Sequence, residues 1–263
     1  MPRSWDTSVT SSSGSRSLRE PRNAYAGYLA WRARVSEVSV VIPTMNEEAS
    51  IGRVIDEVRK ALGGRLLEIL VVDTDSRDRT REIATAKGAR VISEPRRGYG
   101  RAYQTGFREA RGTYLATLDA DLTYPADRLP DFLAALESGR ADFVSGERLS
   151  HLAGGAMSGM HRIGNAILNA AFHLLFRAPI RDSQSGMWAF RRAALSQMGL
   201  VHEGMAFSEE IKIEALRVGL RFLEIPVDYR VRVGDRKIRS MNDAMKNLVW
   251  LVRKRFGWHP GLR

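Results

Sequence analysis

The stretch Thr113-Tyr-Leu-Ala-Thr-Leu-Asp-Ala-Asp121, followed by Leu-Thr-Tyr-Pro125, decides the fold class of this chain. Its first six residues have the apolar composition of a buried strand. Because residues i and i+2 of an extended segment face the same way, we expect the carboxylates of Asp119 and Asp121 to project together from the strand's carboxyl end. Open α/β sheets bind their ligands at that edge. Two convergent hard oxygen ligands predict a divalent cation that also holds phosphate oxygens, and the alternative is a solvated aspartate pair in a turn.

The rest of the chain alternates short apolar strands with amphipathic helices. Predicted strands cover residues 38–42, 67–72, 89–92, 113–118 and 142–145, and predicted helices cover 49–62, 78–87, 100–110 and 129–136. Strand and helix alternate with short connections, which predicts an α/β fold with a doubly wound, mostly parallel sheet flanked by helices. The second half adds predicted helices over 160–176, 204–218 and 241–256, a strand within 221–231, and a core strand containing Trp188 and Phe190.

We divide the chain into four segments. Residues 1–22, rich in Ser, Arg and Gly, are predicted to be a disordered basic tail. Residues 23–36 contain a short amphipathic helix, which either packs on the domain or contacts a membrane or a partner. Residues 37–235 form the main α/β domain. Residues 236–263 form a basic loop and a C-terminal amphipathic helix, which either covers the sheet or lies on an anionic bilayer.

Composition excludes several classes of protein. The chain has no Cys, which excludes disulfides, thiolate metal sites and cysteine nucleophiles. Its net charge of +11 favours an anionic partner, either nucleotide phosphates, anionic lipid or nucleic acid. The cationic residues are dispersed and the aromatic residues form no stacking platform, so we expect no nucleic-acid partner. No apolar run approaches the ~20 residues of a membrane span and no signal-peptide pattern is present. We therefore expect a cytoplasmic protein, with peripheral contact to the cytoplasmic face of the membrane left open.

Two further strand ends carry polar side chains. They are Val40-Val-Ile-Pro-Thr-Met-Asn-Glu-Glu48 and Val71-Val-Asp-Thr-Asp-Ser76. Because the carboxyl ends of parallel strands meet at one edge, we expect these groups to converge with Asp119 and Asp121 on one crevice. Asp73 is placed to accept a hydrogen bond from a base or a ribose. Asn46 and Ser76 both precede helices, so helix capping is the alternative for them.

With these strand ends, the sequence resembles the family 2 glycosyltransferases of the GT-A fold. Within that family it is similar to the dolichol- or polyprenyl-phosphate mannosyl- or glucosyltransferases. The resemblance covers residues 37–250. Besides the strand ends, it rests on Arg97-Gly-Tyr-Gly-Arg-Ala102, Ser145-Gly-Glu-Arg148, Arg162-Ile-Gly-Asn165, Asp182-Ser-Gln-Ser-Gly186 and Gly204-Met-Ala-Phe-Ser-Glu-Glu210. It implies an inverting, metal-dependent enzyme using Mg²⁺ or Mn²⁺. This enzyme would move a hexose from a GDP- or UDP-sugar to a polyprenyl (dolichyl) monophosphate at the membrane surface.

The resemblance also implies roles for individual residues. The residues implied to bind the nucleotide sugar are Pro43, Asn46, Glu47, Asp73, Gly98, Gly100, Asp119 and Lys237. Asp119 and Asp121 are implied as metal ligands. Arg148 and Arg162 are implied to bind the acceptor phosphate, because guanidinium groups match phosphate oxygens. The implied catalytic residues are Asp121, Glu210 and Asp182. Thr123 departs from the pattern, since many lipid-phosphate members carry there a Gln that assists the metal.

Some of these roles have alternatives. A lipid phosphate is already ionised and needs no protein base, whereas a hydroxyl acceptor needs one within hydrogen-bond reach. Glu209 or Glu210 would serve as that base, or both simply favour the dipole of the helix they begin. Asp182 positions the sugar or the acceptor, or it caps the turn at Ser183. At the level of the whole protein, the alternatives are transfer to a soluble hydroxyl acceptor and a non-catalytic relative that only binds nucleotides.

Overall fold

The computed structural model describes residues 37–234 and 240–257, with side chains of the last helix described from residue 244 onward. The predictions for residues 1–22, for the helix in 23–36 and for Lys237 lie outside the described residues.

A seven-stranded sheet with the order β3-β2-β1-β4-β6-β5-β7 forms the centre of the fold. Its strands are β1 (Val38–Thr44), β2 (Leu66–Asp73), β3 (Arg90–Ser93), β4 (Tyr114–Thr117), β5 (Phe143–Glu147), β6 (Trp188–Arg191) and β7 (Phe222–Pro226). Neighbouring strands run parallel, except that β6 is antiparallel to both β4 and β5. The predicted mostly parallel α/β sheet is therefore confirmed.

Helices cover both faces of this sheet. They are α1 (Ile51–Leu62), α2 (Thr80–Ala86), α3 (Tyr99–Glu109), α4 (Leu129–Glu137), α5 (Gly159–Phe176), α6 (Phe207–Arg217) and α7 (Ser240–Arg255). Alternate residues of β1 point to opposite faces, as the pleat of a strand requires. Val40 packs in the cluster that contains α1 and α4, and Val41 packs in the cluster that contains α3 and α6. The apolar side chains of α1 recur every three or four residues and so form one face of the helix, which packs against the sheet.

The helices α5 and α7 pack together beside α6 and form a third apolar cluster. Its largest members are Phe172 on α5 and Trp250 on α7, and Ile213 of α6 joins it. No helix among residues 37–234 and 240–257 combines the length and the apolar composition needed to cross a membrane.

The reversed direction of β6 places the segment before it at the ligand edge of the sheet. Ala189 of β6 pairs with Ala116 of β4, so the amino end of β6 lies beside the carboxyl end of β4. The Thr117 hydroxyl fixes this arrangement, since it donates to the Gly186 carbonyl at 2.8 Å and accepts from the Trp188 amide at 2.9 Å. Residues 182–186 therefore reach the same edge as the polar ends of β1, β2 and β4.

Candidate active site

Asp119 and Asp121 lie just beyond β4 and are held differently. Asp121 is buried, and its Oδ1 accepts from the Thr123 hydroxyl at 2.5 Å and the Thr123 amide at 3.1 Å. Asp119 is half-buried, with the hydroxyls of Tyr99 and Tyr103 at 3.5 and 3.4 Å from its Oδ1. Burial raises the pKa of the Asp119 carboxyl to about 7, and the neighbouring charge of Asp121 adds to the increase. The two carboxylates thus share one electrostatic environment.

The loops after β1 and β2 brace each other at this edge. The Asn46 amide donates to the Ser76 hydroxyl at 2.8 Å, and the Arg77 amide donates to Asn46 Oδ1 at 2.7 Å. Asp73 accepts from the Ser76 hydroxyl at 2.5 Å and from its amide at 3.0 Å. Neither Asn46 nor Ser76 caps a helix, because the N-cap positions of α1 and α2 belong to other residues. Capping therefore does not explain their presence at these strand ends.

Arg232 joins the ends of β1 and β4, and the sequence analysis did not single it out. Its guanidinium donates to Glu47 Oε1 and to Asp121 Oδ2, both at 2.7 Å. All three side chains are mostly buried. The residue lies far along the chain from both partners, so only the fold brings them together. The one available signal was its place just before the basic loop.

Arg148 and Asp182 are bound to each other. The Arg148 Nε and Nη2 atoms donate to the two carboxylate oxygens of Asp182 at 2.7 and 2.8 Å, and the Arg148 amide adds a third bond at 3.0 Å. Asp182 also accepts from the Gln184 amide at 3.2 Å, as expected for a residue that caps a turn. Burial opposes ionisation of Asp182, but the charge and hydrogen bonds of Arg148 outweigh it and lower the pKa of Asp182. The pair shows how Arg148 is positioned, with Asp182 as its anchor.

A buried lysine supports the segment that contains Asp182. Lys212 Nζ donates to the carbonyls of Asp182, Ser183 and Ser185 at 2.7, 2.9 and 3.1 Å. Burial lowers the pKa of Lys212 to about 8. The sequence analysis did not predict a role for Lys212. The only sign of its burial in the sequence is its position between two isoleucines, Ile211 and Ile213.

The two adjacent acids of α6 have separate environments. Glu210 Oε2 accepts from the amides of Val201 and His202 at 2.9 and 2.7 Å, so the side chain secures the loop before α6. Glu209 is fully buried and accepts from Asn247 of α7 at 3.2 Å. Burial raises the pKa of Glu209 to about 8. No contact in the described chain joins either acid to Asp119 or Asp121, and a role as a base remains a prediction.

The remaining predicted residues are more dispersed. A Cβ on Gly98 or Gly100 would lie 2.5 or 2.2 Å from a carbonyl oxygen of residues 202–203, so both glycines permit close packing on that loop. Pro43 lies within β1, opposite a residue of β2. Arg162 is exposed in the first turn of α5, and its guanidinium makes no hydrogen bond or ion pair with the residues the structure describes. No contact between Arg162 and Arg148, the two residues predicted to bind the acceptor phosphate, is present among the described residues.

The donor set at Asp119 and Asp121 fits a hard divalent ion. Both residues offer carboxylate oxygens, and Asp121 Oδ2 already holds a cationic group at 2.7 Å. Among the described side chains, no three His, Asp or Glu residues converge on one point. Mg²⁺ is commonly held by one or two carboxylates together with substrate phosphates, so two protein ligands are sufficient.

Comparison with known proteins identifies the family. The model of the glycosyl transferase family 2 matches residues 39–199, a segment that contains the ends of β1, β2 and β4. The chain belongs to glycosyl transferase family 2. The sequence resemblance is therefore confirmed, and with it the prediction of a glycosyltransferase.

Curated relatives in this family include lipid-phosphate sugar transferases. The chain is 37% identical over 219 residues to the low-salt glycan biosynthesis hexosyltransferase Agl6 of Haloferax volcanii, covering 82% of this chain and 53% of that protein. It is 36% identical over 202 residues to the dolichyl-phosphate hexose transferase of the same organism, covering 77% and 86%. A dolichol-phosphate mannosyltransferase of Pyrococcus furiosus is 30% identical over 215 residues, covering 78% and 60%. The chain thus spans about half the length of Agl6.

Solved structures share the fold. Glucosyl-3-phosphoglycerate synthase from Mycobacterium tuberculosis, in complex with phosphoglyceric acid, superimposes with a TM-score of 0.71 at 24% identity, covering 88% of this chain and 84% of that chain. Its complex with Mn²⁺, uridine diphosphate and phosphoglyceric acid gives 0.71 at 23% identity, covering 88% and 82%. The predicted GT-A fold of this family 2 member is confirmed.

Proposed function

We propose that this family 2 member transfers a hexose, with inversion, from a GDP- or UDP-sugar to a polyprenyl monophosphate at a membrane surface. The observation that carries the proposal is the convergence of Asp121, Glu47 and Arg232 at the carboxyl edge of the sheet. Carboxylates for a cation and a guanidinium for phosphate, held together at the carboxyl edge of the sheet, are the groups that a sugar diphosphate requires. The dolichyl-phosphate transferases among the relatives support the acceptor class.

On the donor side, Asp119 and Asp121 would hold Mg²⁺ or Mn²⁺. When bound, the ion supplies positive charge to the oxygens of the departing nucleoside diphosphate. Structures of the fold relatives with Mn²⁺ or Mg²⁺ and uridine diphosphate support divalent-ion use. Arg232 adds a second positive group at the same place. Asn46, just after β1, and Asp73, at the end of β2, would receive the nucleoside.

On the acceptor side, Arg148 would bind the acceptor phosphate. Asp182 fixes the plane of its guanidinium through two short hydrogen bonds, and the Tyr229 ring lies 5.2 Å from its central carbon. A phosphate monoester is ionised at neutral pH, so its oxygen attacks the anomeric carbon without a protein base. This agrees with the structural engagement of Glu210 in the loop before α6. Arg162 would meet the acceptor phosphate from the first turn of α5.

Membrane contact is proposed from the exposed faces of α5 and α7. Large apolar side chains are exposed at spacings of three, four or seven residues along the two helices: Met160, Ile163, Ile167 and Leu174 on α5, and Met245, Val249, Val252 and, just after α7, Phe256. Exposed cations, among them Arg253 and Arg255, accompany them. Apolar side chains flanked by cations favour the surface of an anionic bilayer, where a polyprenyl phosphate would be presented. Sedimentation with vesicles containing anionic phospholipid tests this contact.

A second candidate is transfer to a water-soluble acceptor. The solved structures of glucosyl-3-phosphoglycerate synthase favour it, because they bind phosphoglyceric acid. Both candidate acceptors carry a phosphate group, so Arg148 would serve either one. They differ in whether the apolar faces of α5 and α7 are needed.

The test is release of nucleoside diphosphate from GDP- and UDP-sugars with Mn²⁺ or Mg²⁺. Each donor is assayed alone, with a short polyprenyl phosphate and with phosphoglycerate. We expect polyprenyl phosphate to stimulate release and to become glycosylated. Stimulation by phosphoglycerate alone would establish the second candidate instead.

The metal assignment is tested with a variant of Asp121. We expect Asp121→Asn to abolish turnover, and Asp127→Asn, at an exposed aspartate, is the matched control. Near-native rates for Asp121→Asn would disprove the metal assignment.

The role of Arg162 is tested separately. We expect Arg162→Ala to reduce lipid-dependent release much more than hydrolysis of the donor by water. Arg181→Ala replaces another exposed arginine and is the control. Equal loss of both activities would rule out an acceptor role for Arg162.

A further inference from the structure

The backbone on either side of Arg232 holds this residue at the predicted metal site. The amide of Arg230 donates to the carbonyl of Thr123 at 2.9 Å, and the amide of Val233 donates to the carbonyl of Asp121 at 3.0 Å. These two bonds lay the segment after β7 alongside the segment after β4. The guanidinium between them is thereby directed at the Asp121 carboxylate rather than into solvent.

The bonds of Arg232 use the oxygen that a metal ion needs. Asp121 Oδ1 is taken by the amide and hydroxyl of Thr123, and Asp121 Oδ2 is taken by Arg232 at 2.7 Å. The other arm of the guanidinium bonds to Glu47 Oε1, also at 2.7 Å. A divalent ion that binds the other lone pair of Asp121 Oδ2 would lie next to the guanidinium, so the two positive charges repel each other. Because the guanidinium is bonded to both Asp121 and Glu47, moving it away from the ion has a free-energy cost.

We infer that Arg232 is a built-in counter-cation that competes with the divalent ion for Asp121. The protein alone then binds the ion weakly. A nucleoside diphosphate offers the guanidinium an alternative set of oxygens and so frees Asp121. Metal and diphosphate therefore bind with positive cooperativity, and each increases the affinity for the other by the same factor. This inference rests on the metal and nucleotide sites of the proposed function, and it adds the energetic coupling between them.

The experiment measures Mn²⁺ binding by electron paramagnetic resonance, without any sugar transfer. The full chain is titrated with Mn²⁺ alone and then with uridine or guanosine diphosphate. In Arg232→Gln we expect the Kd for Mn²⁺ alone to fall about 10- to 100-fold, the ratio for losing one charge-assisted hydrogen bond. The enhancement by diphosphate should shrink by a similar factor. Arg230→Gln is the matched control, since that neighbouring arginine pairs with Glu57 instead, and its Kd should not change.

A second variant guards against misfolding of the first. Arg232→Lys keeps the charge but cannot span both carboxylates with one planar group, so we expect an intermediate Kd. Circular dichroism confirms the fold of each variant. Unchanged or weaker Mn²⁺ binding by a folded Arg232→Gln, alongside normal binding with diphosphate, would overturn the competition and leave the proposed function intact. Absence of Mn²⁺ binding in every protein, with either diphosphate, would overturn both.

Discussion

The contribution of the buried Arg148–Asp182 pair to stability can be predicted by comparison, because the chain contains a second, more exposed Arg–Asp pair with the same hydrogen bonds. Arg221 donates to Asp142 through Nε and Nη2, both at 2.8 Å, and through its amide at 3.1 Å, which reproduces the bonding of Arg148. The pairs differ in burial. The side chains of Arg148 and Asp182 are 6% and 0% exposed, and those of Arg221 and Asp142 are 59% and 24% exposed.

We predict that Asp182→Asn lowers the free energy of unfolding by about 3–5 kcal/mol, because it leaves a buried guanidinium charge without a counter-ion. Counting hydrogen bonds gives a similar figure. Whichever carboxylate oxygen the NH2 group replaces, it cannot accept the two hydrogen bonds made there, and two charge-assisted bonds contribute about 3–6 kcal/mol. For Asp142→Asn we predict a loss below about 1 kcal/mol, because solvent screens the exposed pair. Urea unfolding followed by tryptophan fluorescence measures both losses.

A double variant separates charge from packing. Arg148→Met with Asp182→Leu removes both buried charges and should recover most of the stability lost in Asp182→Asn. The reasoning is refuted if Asp182→Asn and Asp142→Asn destabilise the protein equally, or if the double variant is less stable than the single one.

Two further predictions concern other buried groups. Burial raises the pKa of Glu209 from 4.5 to about 8, so the folded protein holds a proton there that the unfolded chain has released. The free energy of unfolding therefore falls between pH 5 and pH 8, by up to about 1.4 kcal/mol per pH unit. Glu209→Gln should gain stability relative to the unmodified protein as pH rises through that range, and parallel pH profiles in urea unfolding would contradict this. A Cβ on Gly186 would lie 2.3 Å from the Tyr99 hydroxyl oxygen, so Gly186→Ala should destabilise by about 1–3 kcal/mol. Adding Tyr99→Phe should recover part of that loss in thermal unfolding, and no recovery would show that the clash lies elsewhere.

Local pattern predicted much of the fold. The apolar runs before Asp73 and Asp119 form strands, and their carboxyl ends meet because parallel strands share a direction. The apolar spacing of α1 likewise predicted a helix lying on the sheet. The predicted helix ends were less accurate than the predicted strands. For example, α6 was predicted to begin at Gly204 and begins at Phe207. Whether residues 37–235 fold as a separate domain stays a prediction.

Pairings between distant residues were not predictable. Nothing near Arg232 in sequence reveals that it reaches Asp121, because that contact depends on how the segment after β7 lies against the segment after β4. Similarly, Arg148 and Asp182 each looked like a residue for a ligand, and the structure binds them to each other. Short-range pattern places a residue at an edge of the sheet, and only the packed fold decides which charges neutralise one another.

The reversed strand β6 has a consequence for how this enzyme family diversifies. The chain leaves the sheet after β5, builds α5 outside it and returns at β6, and the Arg148–Asp182 pair ties the departure to the return. The segment between these two residues packs on α6 and α7, whereas Asp73 and Asp121 lie at the ends of the parallel strands β2 and β4. Under the proposed function, recombination that exchanges this segment and keeps the Arg148–Asp182 pair would change the acceptor preference and leave the donor site unaltered.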